Sequence, residues 1–327
     1  MPDPAAVRAA GRRIGDAVRS DPRYAHTSHL RVLVAGRPVF DEHYRGPTVR
    51  DVFSVTKTVV ASVAGIAARR GLLPDLDEPL HAVLPAVRDT PSRGQTWRQL
   101  LSMTRGAAVD GPWDIDAVTA LPGGQVARVA SAPPIDLPGQ VFRYDNGAAH
   151  LLSAGLSRVL GRPVAEYAAA ELFAPLGIRD AIWKADPDGV SYGFAHLRLS
   201  ADALGRLGEL WRAGGQPLVD PAFAAAMSTA QTPGGPPEEL PYGFGIWVDD
   251  DMLLAGGWAG QHVLVLPTAV VVTTGDPRFD PGPPPRDELP ADWRPALDLV
   301  RRHLVPILRG SASTIACKDP GPWRITR

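Results

Sequence analysis

Near the start of the chain, Ala6, Val7, Ala10, Ile14 and Val18 recur at helical spacing, with arginines on the opposite face. That pattern predicts an amphipathic helix over about 4 to 20. The period then shortens. The stretch "HLRVLVAGRPVFDEHYR" alternates or runs apolar on both sides of "AGRP", as expected of two strands joined by a tight turn. Ser54 to Ala68 is rich in Ala and Val and closes on "RRG", a basic last turn followed by glycine. It reads as a mostly buried helix.

From about 75 to 235 the pattern is helical again, in pieces such as "TWRQLLSM", "NGAAHLLSAGLSRVLG", "VAEYAAAELFAPLG" and "SADALGRLGELWRAGG", each punctuated by Gly or Pro. Beyond Tyr242 the runs "YGFGIWVDD", "MLLAGG", "HVLVLP" and "AVVVTTG" are short and strand-like, and a closing amphipathic helix is expected at about 291 to 309. Strands at both ends with helices between them predict an α+β fold, one sheet built from the two ends of the chain with a helical insertion. The expected division is a discontinuous sheet subdomain, 1–75 with 236–327, and a mainly helical subdomain, 76–235, with the active site in the cleft between them. No repeat occurs at solenoid periods.

Composition narrows the function. With 327 residues, 45% of them hydrophobic, the chain can fill a large core. A net charge of −1 gives no basic footprint for nucleic acid or an anionic membrane, so a small molecule or short peptide is the expected partner. The N-terminal segment has charges every few residues and no apolar core of a secretory signal, and "VVASVAGIAA" is too short to cross a bilayer. A cytoplasmic protein is expected. The single cysteine, Cys317, excludes an internal disulfide and reads as an incidental thiol. Eight scattered histidines without ligand spacing, and no glycine-rich phosphate loop, predict neither a metal nor a nucleotide cofactor.

Only three of the 34 basic residues are lysines, and one of them, Lys57, stands three residues after Ser54 at the start of the buried helix. Residues three apart share a helix face and can touch. A buried lysine can lose its proton, which arginine cannot, and a desolvated amine beside a serine hydroxyl can activate it as a nucleophile. The plainer alternative is a capped helix with a snorkelling lysine. A second segment, "LPGQVFRYDNGAAH", carries Tyr144 and Asn146, the one asparagine in the chain. Tyr144 could pack in the core and Asn146 hold a turn. Alternatively the phenol assists proton transfer near Ser54, and the carboxamide, both donor and acceptor, fixes Lys57 and a substrate carbonyl.

Taken together, "FSVTK", "TWRQLLSMTRG", "PGQVFRYDN", "YGFGIWV" and "AGGWAGQHVLVLP" resemble, in order and spacing, the motifs of the serine β-lactamase and penicillin-binding-protein superfamily. They resemble in particular its class C-like branch, with the related esterases and amide hydrolases, from about Val32 to Pro267 and the last helix. The resemblance implies the β-lactamase-like (transpeptidase-like) fold, an antiparallel sheet flanked by terminal helices plus a helical subdomain. It makes Ser54 the acylated nucleophile and Lys57 its base. Tyr144 would relay a proton to the leaving group and later help activate water, while Asn146 orients Lys57 and the acyl chain. The family's third motif falls on Ala255, Gly256 and Gly257, with Gly260 as its later glycine. The oxyanion hole would be the backbone N–H groups of Ser54 and Trp258, and Trp113 a lip of the pocket.

In that family the third motif is usually Lys-Thr-Gly or His-Thr-Gly, and its cation and hydroxyl bind a substrate carboxylate. Ala255 and Gly256 provide neither. Arg105 stands where the family often has serine, and is a candidate replacement cation. The expected function is therefore a serine hydrolase cleaving an uncharged ester or amide, of carboxylesterase or amidase type. The competing readings are a β-lactamase or D-amino-acid peptidase, an acyltransferase, and a catalytically inactive binding protein of the same fold.

Overall fold

The computed structural model describes residues 1–276 and 292–310. Helix α1 (Pro4–Ser20) starts at Asp3, whose carboxylate caps the N–H groups of Ala5 and Ala6, and buries Val7, Ala10, Ile14 and Val18 as its spacing predicted. Strands β1 (Thr27–Val34) and β2 (Arg37–His43) form the expected hairpin. Ala35 and Gly36 both take positive φ, 47° and 74°, the primed-turn geometry that matches strand twist.

A two-residue strand, β3 (Arg50–Asp51), leads into α2 (Val55–Arg69), which is buried from Val55 to Ala67. The helical region follows with α3 (Trp97–Leu101), α4 (Ile115–Thr119), α5 (Gln125–Ala130), α6 (Asn146–Leu160) and α7 (Val164–Ala168). Strands β4 (Ile182–Trp183) and β5 (Leu197–Leu199) join β3 in a small sheet of order β3-β5-β4, which the pattern did not predict because each strand is too short to show a period. Then come α8 (Ala201–Arg212), α9 (Pro221–Met227) and strands β6 (Thr232–Gly235), β7 (Leu240–Tyr242), β8 (Trp247–Asp249), β9 (Met252–Gly257), β10 (Gln261–Leu266) and β11 (Ala269–Gly275).

The main sheet has eight antiparallel strands in the order β2-β1-β11-β10-β9-β8-β7-β6, so the chain's two ends meet where Val32 of β1 faces Val271 of β11. Helix α1 packs against β1 and β2 on one face, and α8 lies against β1, β10 and β11 on the other. Covered on both sides, β10 and β11 are buried along their whole length and read as nearly continuous apolar runs. Each buried Val or Leu there contributes roughly 1.5–3 kcal/mol relative to exposure.

The last helical stretch departs from expectation. In place of one helix over about 291 to 309, two short ones form, α10 (Leu297–His303) and α11 (Val305–Arg309). Pro295 precedes the first, and Pro306, which has no N–H to continue the ladder, restarts the chain in the second. Cys317 lies outside the described residues. Among the described residues no helix is long and apolar enough to cross a membrane, and no three His, Cys, Asp or Glu side chains gather as a metal site.

Candidate active site

The small sheet positions Ser54. Asp51 pairs with Arg198, and the Val52 N–H donates to the Leu197 carbonyl at 2.8 Å. Phe53 is then forced into the left-handed region, φ 46°, which costs a non-glycine residue about 1–2 kcal/mol. Asp51 holds the turn. Its Oδ1 accepts from the N–H groups of Phe53 (2.8 Å) and His196 (3.1 Å), and its Oδ2 lies 3.2 Å from His196 Nδ1. Ser54 itself is helical in conformation and its side chain caps nothing, so the hydroxyl is left to face the next turn.

One turn on, Lys57 is only 3% exposed. Its Nζ lies 2.7 Å from Ser54 Oγ, 2.7 Å from Asn146 Oδ1 and 3.4 Å from the Phe194 carbonyl oxygen. Burial disfavours the ammonium and pushes the amine down to about 7, with Asp145 pulling weakly the other way. At neutral pH a large share of Lys57 is therefore an uncharged amine in contact with a hydroxyl.

Tyr144 closes the cluster. Its ring stacks on Trp247, centroids 5.7 Å apart and 15° from parallel, and Lys57 Nζ sits 4.6 Å from the ring centroid. Burial raises the phenol well above its ordinary value, a hydrogen bond with Ser54 offsets this in part, and Glu238 adds to the rise. The phenol thus keeps its proton at neutral pH. Between Tyr144 and Asn146, Asp145 turns the other way, caps α6 by accepting from the Ala148 N–H at 2.9 Å, and pairs with Arg105. Both members of that ion pair are almost wholly buried. Arg105, which also donates to the Val129 carbonyl at 3.2 Å, is committed to holding this loop and is not the free cation the sequence suggested.

Strand β9 supplies the opposite wall. Its ladder with β8 ends at Leu254 facing Trp247, so Ala255, Gly256 and Gly257 present an edge that β8 does not cover. A Cβ on Gly257 would lie 2.4 Å from the Val52 carbonyl oxygen and 3.3 Å from the Ser54 backbone nitrogen. Only glycine admits that approach. The next residue, Trp258, packs its ring edge-on to Phe53, centroids 5.2 Å apart. Trp113 lies on a short turn, Gly111–Trp113, with its indole N–H donating to Ser131 Oγ at 3.2 Å.

The structure thus brings Ser54, Lys57, Tyr144 and Asn146 into one cluster and sets Gly257 against it. Sequence reasoning missed the Phe194 carbonyl, Trp247, the Arg105–Asp145 pair and Glu238. Trp247 was visible as an aromatic in the strand-like run "GIWV", but Glu238, in "GGPPEEL", reads as an ordinary solvated turn charge.

A sheet with terminal helices on one face, and a buried helix delivering serine and lysine to the edge of its β9 strand, is the β-lactamase and transpeptidase-like architecture. Solved structures share it. A candidate β-lactamase from Bacteroides dorei aligns with a TM-score of 0.72 over 95% of this chain and 100% of its own, at 18% identity. A candidate 6-aminohexanoate-dimer hydrolase from Bacillus anthracis gives 0.71 over 90% of this chain and 81% of its own, at 17% identity. The hydrolase EstCE1, described as having promiscuous acyltransferase activity, gives 0.66 over 83% and 94%, at 19% identity. In sequence, the Beta-lactamase family model matches residues 11–288, and the chain belongs to that family of serine hydrolases. Among curated proteins none matches.

Proposed function

We propose that the protein hydrolyses an ester or amide that carries no carboxylate beside the scissile bond, through an acyl-enzyme on Ser54. The contact that carries this reading is the 2.7 Å approach of a buried Lys57 amine, pushed down to about 7, to Ser54 Oγ.

Lys57 takes the hydroxyl proton as Ser54 Oγ attacks the substrate carbonyl, and the carbonyl electrons move onto oxygen. The backbone N–H groups of Ser54 and Trp258 hold that oxyanion, a stabilisation typically worth about 3–4 kcal/mol per donor. Collapse breaks the bond to the leaving alcohol or amine, which takes a proton through Tyr144, itself reprotonated from Lys57. Because burial keeps the phenol protonated, Tyr144 serves as a donor and relay while Lys57 is the base. Water then attacks the acyl-enzyme and passes one proton to the Lys57 amine by way of the phenol; collapse breaks the bond between Ser54 Oγ and the acyl carbon, the Lys57 ammonium returns the proton to Oγ, and the acid leaves. Asn146 holds the amine in line throughout.

The absent cation and hydroxyl at Ala255 and Gly256 set the substrate class, since a charge-assisted contact to a carboxylate would be worth roughly 1.5–3 kcal/mol. Faster turnover of p-nitrophenyl butyrate than of penicillin G is the expected result. Intact-mass measurement with a fluorophosphonate probe tests the nucleophile. The wild type should gain one adduct, and Ser54→Ala none; an adduct or full turnover in that variant would refute the assignment.

A further inference from the structure

Glu238 sits in the turn between β6 and β7, on a side chain only 7% exposed. Its Oε1 lies where a side chain on Gly256 would begin, 2.7 Å from the position of a Cβ there. Glycine at 256 is therefore what gives the carboxyl room against the uncovered edge of β9, one residue before the glycine that abuts Ser54. Tyr144, the proton donor to the leaving group in the mechanism proposed above, feels its charge.

A carboxyl so placed is costly to charge without a partner, and burial pushes it up to about 7. His262 Nε2 is 4.0 Å from Oε1, beyond hydrogen-bond reach, and burial pushes that imidazole down to about 3, so it brings no charge at neutral pH. Arg301 on α10 acts on Glu238 only through its field. Oε2 is buried with no hydrogen-bond partner among the described residues. The carboxyl is thus largely stripped of water, and its charge is not met by a bonded cation within the described chain.

Resting on the acyl-enzyme reading, we infer that Glu238 is the specificity residue of a subsite for a protonated amine carried on the leaving group of the substrate ester or amide. The ammonium donates to Oε2 and supplies the missing partner. A leaving group bearing a carboxylate meets repulsion at the same place, so the subsite selects by sign as well as by contact.

The test uses two esters of the same shape, 2-(dimethylamino)ethyl butyrate, protonated at neutral pH, and its carbon isostere 3-methylbutyl butyrate. Binding is measured by calorimetry on Ser54→Ala and on Ser54→Ala with Glu238→Gln, and turnover of both esters on the wild type and on Glu238→Gln alone. The amine ester should bind and turn over at least about tenfold better than its isostere, and Glu238→Gln should bring the ratio between the two esters close to one. Equal binding of the two esters, or a charge preference that survives Glu238→Gln, would overturn the inference. A Glu238-dependent preference in binding without turnover of either ester would count against the hydrolase reading and leave this subsite standing.

Discussion

Replacing Asn146 by Asp puts the base to a direct test. The carboxamide oxygen lies 2.7 Å from Lys57 Nζ, and aspartate sets a negative charge at nearly the same point without changing shape. Residue 146 opens α6, where a carboxylate also suits the helix dipole, so the fold should tolerate the change. An opposite charge at such range raises an amine by about 1–3 pKa units. Starting from about 7, the Lys57 amine of the variant would titrate at roughly 8–10.

The sign follows from the role. A base must be unprotonated, so kcat/KM rises with pH through the pKa of Lys57 and levels off above it. At pH 7 the neutral fraction would fall from about one half to between roughly one tenth and one thousandth, and activity with it. The assay is kcat/KM for p-nitrophenyl butyrate from pH 5 to 9.5 with blank correction. Because burial pushes Glu238 up to about 7 as well, the profile is also taken in a Glu238→Gln background. An acid limb that stays in place in Asn146→Asp would show that Lys57 is not the group whose deprotonation starts the reaction.

Two further outcomes follow. Gly257→Ala drives a methyl to 2.4 Å from the Val52 carbonyl oxygen, so the strand must move from Ser54; kcat on p-nitrophenyl butyrate should fall by about 100-fold or more, with urea unfolding reporting a smaller loss of stability. Arg105→Ala leaves Asp145 charged and buried without its partner, which should cost about 3–5 kcal/mol in chemical denaturation; an unchanged midpoint would contradict the buried-pair assignment.

Much of this fold was legible because long periodic segments declare themselves. Helix α1, the β1–β2 hairpin, α2 and strands β8 to β11 fall where spacing placed them, whereas β6 forms inside the stretch expected to be helical and β7 begins before Tyr242. Ser54, Lys57, Tyr144 and Asn146 were legible for a different reason: lysine and asparagine are scarce in this chain, so each stood out against its background. Other features were invisible on physical grounds. Strands β3, β4 and β5 have two or three residues each and carry no period. The buried state of Arg105 and Glu238 depends on partners distant in sequence, and a charge in a turn gives no local sign that the fold will bury it. The division of the last helix was hinted at by Pro295 and Pro306, which the amphipathic spacing around them outweighed.

The interleaving of chain ends in the main sheet has a consequence for biosynthesis. A ribosome releases the serine and lysine early, on a helix with scarcely a polar face, long before the strand whose Gly257 abuts Ser54 has been translated. Until β9 to β11 arrive and zip onto β1, the nascent polypeptide holds a greasy segment without cover and a serine–lysine pair without the strand that walls it. Such late, long-range closure is slow and exposes apolar surface on the way. The proposed chemistry would thereby be switched on only by completion of the whole sheet, and any chain stopped short of β9 should be both inert and prone to clump.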